Sequence, residues 1–227
     1  MVVSDYVVGH GTTSVAREIE DDGFVTVVPD VSSQLVVEES LEARLLRLCG
    51  EIHADNIAAG WWTDLHTGES ILATRNRPEI MMLIVSELSE ASEGAQEGLR
   101  DDKLPHLRMF DVELADAAIR LMDVLGADGA KSFADADGLW VDYIRFKDAD
   151  VVLMLIVNHI SAAMERYRKG QRDEYVQRLA GALHMIFDLA EAYHIDLFDI
   201  IEQKRAYNRQ RADHKPENRR AAGGKQF

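Results

Sequence analysis

From residue 40 onward, apolar positions recur at three- and four-residue spacing almost without a break, as amphipathic helices require. The pattern predicts helices over 38–59, 79–98, 106–125, 149–169, 172–194 and 197–210. Pro78 and Pro105 suit first turns, where a missing N–H costs nothing. Gly60, Gly98, Gly126 and Gly170 fall where helices are due to stop, since glycine readily takes the left-handed backbone that ends them. Residues 1–36 read differently. Val2-Val3 and Tyr6-Val7-Val8 precede Gly9-His10-Gly11, and the apolar stretch 24–28 follows Asp21-Asp22-Gly23, which predicts short strands joined by turns. The expected fold is therefore all-α, a helical bundle with a short β-like N-terminal arm. Its segments are an arm at 1–36, a helical domain at 37–210 and a tail at 211–227.

The helical part also answers to itself. Gly60-Trp61-Trp62-Thr63-Asp64-Leu65 is echoed by Gly138-Leu139-Trp140-Val141-Asp142-Tyr143, and Met82-Leu83-Ile84-Val85 by Met154-Leu155-Ile156-Val157. Leu114-Ala115-Asp116-Ala117 is answered by Leu179-Ala180-Gly181-Ala182. The reading is an internal repeat of 60–125 in 138–190, with two shortened loops; the competing one is that amphipathic helices resemble one another. Acids are not shared between the halves. Glu87, Glu90, Glu113 and Asp116 fall opposite His159, Ala162, Arg178 and Gly181.

Those acids stand out by their setting. Glu87 lies inside the apolar face of helix 79–98, between Leu83, Ile84 and Ala91, and Glu90 follows at i+3. A carboxylate in an apolar arc needs a partner, because an isolated buried charge is costly. Helix 106–125 is apolar around most of its circumference, with Glu113, Asp116, Arg120 and Asp123 as a narrow polar stripe. Such a helix belongs in the middle of a bundle, and the two i,i+3 acid pairs can then face each other. Four carboxylates with only oxygen donors suit Mg²⁺ or Mn²⁺. Glu-x-x-Glu is also common on solvated helices, and pattern alone does not separate the two cases.

Charge narrows the partners. The chain has 25 Lys and Arg against 40 Asp and Glu, a net −15, which repels nucleic acid and anionic lipid. No apolar run approaches membrane-spanning length, and no leader pattern opens the chain, so a cytoplasmic protein (host cytoplasm if viral) is expected. Cys49 is the sole cysteine, which excludes an intramolecular disulfide and a cysteine cluster. The stretch 204–227 reverses the sign, with eight Lys and Arg against Asp213 and Glu217. Lys204, Asn208 and Arg211 share one helix face there, an arrangement open to phosphate oxygens or to simple solvation. Arg219, Arg220 and Lys225 could join them if the tail folds over the site. Trp61 and Trp62 follow the helix bearing His53 and Asn56. They read either as a base-stacking platform with edge-reading partners or as core anchors.

Glu-x-x-Glu, 22 residues and then Glu-x-x-Asp resembles the signature of the all-α nucleoside triphosphate pyrophosphohydrolases, the MazG and dimeric dUTPase superfamily. The likeness runs over about 50–126 and resumes at 176–227, through Ile195-Asp196-Leu197, the Lys204-x-x-x-Asn208-x-x-Arg211 pattern and the closing Gly223-Gly224-Lys225-Gln226-Phe227, which resembles phage-type members. The resemblance implies a helical bundle of that type in which Glu87, Glu90, Glu113 and Asp116 hold Mg²⁺ or Mn²⁺. Water attacks the α-phosphate there, with Glu87 and Glu90 as catalytic residues. It further implies a nucleoside triphosphate substrate, leaning to a purine dNTP such as dGTP, and a homo-oligomer, dimer or tetramer. Lys204, Asn208 and Arg211 are the implied phosphate-binding set, and Trp61, Trp62, His53 and Asn56 the base-binding candidates. There is one departure. The family commonly reads Glu-Glu-x-x-Glu, and Ser86 stands at the first position.

Other classes fit less well. A ferritin-like di-metal protein needs two Glu-x-x-His motifs, and the chain has only Glu191-x-x-His194. No His-Asp dipeptide occurs, as an HD-type phosphohydrolase would require. A non-catalytic helical assembly or nucleotide-binding module remains the competing reading, and Ser86 is its best support.

Overall fold

The computed structural model describes residues 6–7, 12–13, 15–19, 25–29, 39–133, 144 and 147–225. The chain divides into two units, Met1–Glu39 and Ser40–Phe227. In the first, Tyr6–Val7 pairs antiparallel with Thr12–Thr13, and Val15–Ile19 with Val25–Pro29. Gly9-His10-Gly11 and Asp21-Asp22-Gly23, read as turns, lie outside the described residues, as does 138–143 of the sequence repeat.

The second unit is all-α. Its helices are α1 (Leu41–Ala58), α2 (Arg77–Glu97), α3 (Met109–Asp128), α4 (Ala149–Arg168), α5 (Arg172–Ala192) and α6 (Leu197–Gln210). A 3₁₀ turn (Ala212–His214) and the one-turn α7 (Pro216–Arg219) follow. Local chemistry explains the starts. The Ser40 hydroxyl accepts from Ala43 N at 3.2 Å and the Asn76 side chain from Glu79 N at 3.2 Å, each satisfying an orphan N–H of a first turn.

One helix is displaced from its expected bounds. α3 begins and ends three residues later than 106–125. Asp101 Oδ1 accepts from Lys103 N and Leu104 N, so the chain around Pro105 is held as a side-chain-capped turn. At the other end Gly126 does not stop the helix; Gly129, with φ 73°, does. Gly126 serves a different need. A Cβ there would collide with the carbonyl oxygen of Cys49 and come within 2.8 Å of His53 Cβ, so its hydrogen lets α1 lie directly on α3.

α3 packs against α1, α2, α5 and α6, and α4 packs against α2 and α5. Central placement follows from composition: Val112, Leu114, Ala115, Ala117, Ala118, Leu121, Met122 and Leu125 have no exposed surface. The buried positions of α2, namely Ile80, Met81, Ile84, Leu88 and Ala91, have buried counterparts 72 residues on in α4: Val152, Leu153, Ile156, Ile160 and Ala163. Leu114, Leu121 and Val124 of α3 correspond likewise, 65 residues on, to buried Leu179, Ile186 and Leu189 of α5.

The far end of α3 is clamped by charge. Buried Asp128 accepts from Arg77 Nη2 at 2.8 Å, Arg172 Nη2 at 3.0 Å and Tyr175 Oη at 3.0 Å. This ties α2, α3 and α5 together through one carboxylate whose desolvation is offset by two guanidinium groups.

Candidate metal centre

The polar stripe of α3 faces α2 and α6, as a single wet face on an otherwise apolar helix must. Glu87 and Glu90 of α2 and Glu113 of α3 each bring a carboxylate oxygen within 4.8 Å of the others. Glu87 is 8% exposed and Glu113 5%, while Glu90 opens to solvent at the rim. Asp116, one turn beyond Glu113, is engaged by α6: Lys204 Nζ lies 2.7 Å from its Oδ2. Lys204 itself is only 2% exposed, so its ammonium is committed to Asp116.

Crowded carboxylates resist ionisation. Burial, the Asp116 charge and a hydrogen bond with Glu87 together hold Glu113 well above the usual carboxylate range. Burial pushes Asp116 up to about 6, against the opposing pull of Lys204. Glu90 is raised by burial and then by the charge of Glu87. A second cation meets the cluster from within α3, where Arg120 Nε donates to Glu87 Oε1 at 2.7 Å. Four acids and two bases thus occupy one junction of α2, α3 and α6.

Beside the acids opens a cavity of about 320 Å³. Its lining includes Asp116, Arg120, Asn208, Arg211 and Lys225 together with Asn56, Trp61, Trp62, Arg75 and Asp123. Asn208 Oδ1 is buried there with no hydrogen-bond partner among the described residues. Arg211 is held by Asp213, with Nε to Oδ1 at 2.9 Å and Nη2 to Oδ2 at 2.6 Å; Lys225 Nζ reaches the same carboxylate at 3.2 Å. The imidazole of His214, buried beside the Arg211 charge, is pushed down to about 4 and stays neutral near pH 7.

The aromatic residues divide. Trp62 is 2% exposed, and its Nε1 donates to Asp123 Oδ1 at 2.9 Å, with Arg77 over its ring at 4.9 Å. His53 Nδ1 donates to the same Asp123 oxygen at 2.8 Å; a carboxylate only accepts, so the proton sits on Nδ1. Trp61 carries Arg219 over its ring at 3.5 Å and meets His214 edge-on. Arg219 Nη1 also donates to Gly60 O at 3.0 Å, and Arg220 Nε to Leu65 O at 2.7 Å. The tail is thereby strapped over the α1–α2 connection, and those two arginines are spent on backbone carbonyls.

Of the acids expected together, Glu87, Glu90 and Glu113 converge and Asp116 is held by Lys204, while Asn56, Trp61, Trp62, Asn208 and Arg211 line one cavity. His53 stands behind Asp123 and does not line the cavity. Ser86 donates to Leu83 O at 2.7 Å, so its hydroxyl serves the helix backbone. Four residues beyond those expected bear on the cavity: Arg75, Asp123 and His214 line it, and Asp213 holds Arg211. Asp123 carried a signal, as a member of the α3 stripe; Arg75 lies in an irregular segment and His214 in a single 3₁₀ turn, too short for periodicity to mark them.

In the second half, His159 stands where Glu87 stands in the first, and a Cβ on Gly181 would lie 2.9 Å from its Nδ1. The described residues there hold no acidic group comparable to the first. No helix among the described residues is long and apolar enough to cross a membrane. No family model matches the chain, and no curated protein or solved structure matches it either.

Proposed function

We propose that the chain hydrolyses a nucleoside triphosphate, adding water across the α–β anhydride to release a (d)NMP and pyrophosphate. The carrying observation is the juxtaposition of a buried carboxylate cluster with a cationic cavity in which the Asn208 oxygen lacks a partner. The donor set is all oxygen and strongly self-repelling, which suits Mg²⁺ or Mn²⁺ held by Glu87, Glu90 and Glu113, with Asp116 completing the set. A divalent ion bound there supplies positive charge to the phosphate oxygens and the attacking water.

The chain's own groups do the rest. Glu90, the one solvent-open acid of the cluster, with its proton affinity raised, accepts the proton of the attacking water. Glu87 and Glu113, which by themselves would repel phosphate, would hold the ion between α2 and α3. Arg211 and Lys225 hold the outer phosphates, leaving Asp213 to do so. Lys204 keeps Asp116 ionised and oriented. Trp61, Trp62 and Asn56 line the part of the cavity that receives the base, with His53 positioned behind by Asp123. A purine dNTP such as dGTP, membership of the MazG-like superfamily and assembly as a dimer or tetramer belong to the same proposal.

The test incubates the protein with each common NTP and dNTP plus Mg²⁺ or Mn²⁺ and separates the products. Monophosphate with pyrophosphate is expected. Orthophosphate with diphosphate would sink the proposed bond cleavage. No turnover with any nucleotide would favour a non-catalytic assembly or nucleotide-binding module, a reading supported by Ser86 at a position where the resembled family carries an acid.

A further inference from the structure

The geometry points to Arg120 as a positioning residue that couples cation binding to phosphate binding: its guanidinium pairs with the Glu87 carboxylate until a divalent ion binds that carboxylate, and then turns to the phosphates. The inference rests on the proposed reading of the acidic junction as a metal site.

Three observations carry it. Arg120 Nε donates to Glu87 Oε1 at 2.7 Å, and Glu87 is one of the three carboxylates whose oxygens converge within 4.8 Å. A guanidinium and a divalent cation on the same carboxylate repel each other, so each weakens the other's hold on Glu87. The same side chain lines the cavity that holds Asn208 and Arg211, and its Nη groups have no hydrogen-bond partner among the described residues. Its side chain is 37% exposed, against 11% for that of Glu87, so the arginine and not the glutamate has room to move.

Position on α3 makes the movement short. Arg120 follows Asp116 by four residues and Glu113 by seven, so it stands on the same helix face, one turn toward the cavity. Rotation about its side-chain bonds carries the guanidinium between the two partners without any backbone change. Lys204 is the contrast: it is buried and bound to Asp116, and has no such freedom. Because the two events share one guanidinium, linkage requires each to promote the other.

The experiment measures two affinities on the full chain, wild type and Arg120→Gln. Mn²⁺ alone is titrated by electron paramagnetic resonance, and inorganic tripolyphosphate by calorimetry with Mn²⁺ saturating. Removing a competing charge-assisted bond from Glu87 should tighten Mn²⁺ about tenfold. Losing the freed guanidinium should weaken tripolyphosphate about tenfold. Arg120→Lys, which keeps a cation in place, should return both constants toward wild type and guards against misreading a folding defect. An unchanged Mn²⁺ affinity would overturn the inference, and so would a tighter Mn²⁺ with unchanged tripolyphosphate affinity. Wild-type protein that binds no Mn²⁺ at all would instead refute the metal-site reading beneath it.

Discussion

Glu113→Gln should make the metal-free protein more stable while removing its response to metal. Burial, the Asp116 charge and the bond with Glu87 keep Glu113 protonated in the folded chain near neutrality, whereas the unfolded chain releases that proton above about 4.5. Folding at pH 7 therefore carries a proton-uptake cost of about 3 kcal/mol, from 1.36 kcal/mol per pH unit over the interval above the unfolded value. Glutamine has nearly the same shape, keeps a donor for Glu87 and carries no such cost. The sign follows from the raised folded value: the contribution of wild-type Glu113 is fully present below about pH 4.5 and is lost as pH rises toward the folded value. The variant's advantage should thus be near zero at pH 4.5 and grow with pH. For a helical unit spanning Ser40–Phe227, about 3 kcal/mol corresponds to a Tm increase of about 6–12 °C at pH 7. The assay is thermal unfolding by circular dichroism in chelator at pH 4.5 and 7, repeated at pH 7 with Mn²⁺. Mn²⁺ should raise the Tm of wild type and leave that of the variant nearly unmoved. A variant no more stable than wild type at pH 7, or equally favoured at both pH values, would refute the reasoning.

Two further outcomes separate architecture from the site. Asp128→Asn leaves Arg77 buried beside a neutral partner and should cost about 3–5 kcal/mol in urea denaturation, with Mn²⁺ affinity of the folded protein unaltered. An unchanged midpoint would mean that the Asp128 clamp contributes no stability. Gly126→Ala forces α1 away from α3 and should cost about 1–3 kcal/mol. Because the collision involves His53, the same substitution should weaken nucleotide binding measured by calorimetry more than it weakens Mn²⁺. Equal losses of both would place His53 and Asp123 outside base recognition.

The acidic junction was legible because helical periodicity alone decides which residues share a face. Glu87 inside an apolar arc and the narrow stripe of Glu113, Asp116, Arg120 and Asp123 both follow from a rotation of about 100° per residue, whatever the helices pack against. The bounds of α3 were less legible. Gly126 carries the usual mark of a helix end, and nothing local shows that it is needed for contact with the Cys49 carbonyl on another helix. Pro105 has the look of a first-turn residue because the capping of its turn by Asp101 leaves no periodic trace. The basic residues carry the least local information about their partners. Lys204, Arg211 and Arg219 look alike along the chain, yet one is buried on Asp116, one is held by Asp213 and one stacks on Trp61.

Sequence alone thus determined the helical class, the central position of α3 and the placing of Glu87 and Glu113 on inward helix faces, since each depends only on the order and spacing of apolar and polar residues. Tertiary structure decided which cation meets which acid. That Arg120 lies on Glu87 and Lys204 on Asp116 depends on how α2, α3 and α6 dock, and the docking is set by the summed fit of many apolar contacts far from the charges. An ion pair draws its strength from a few ångströms of separation and from local burial. Neither is encoded at the residues that form it.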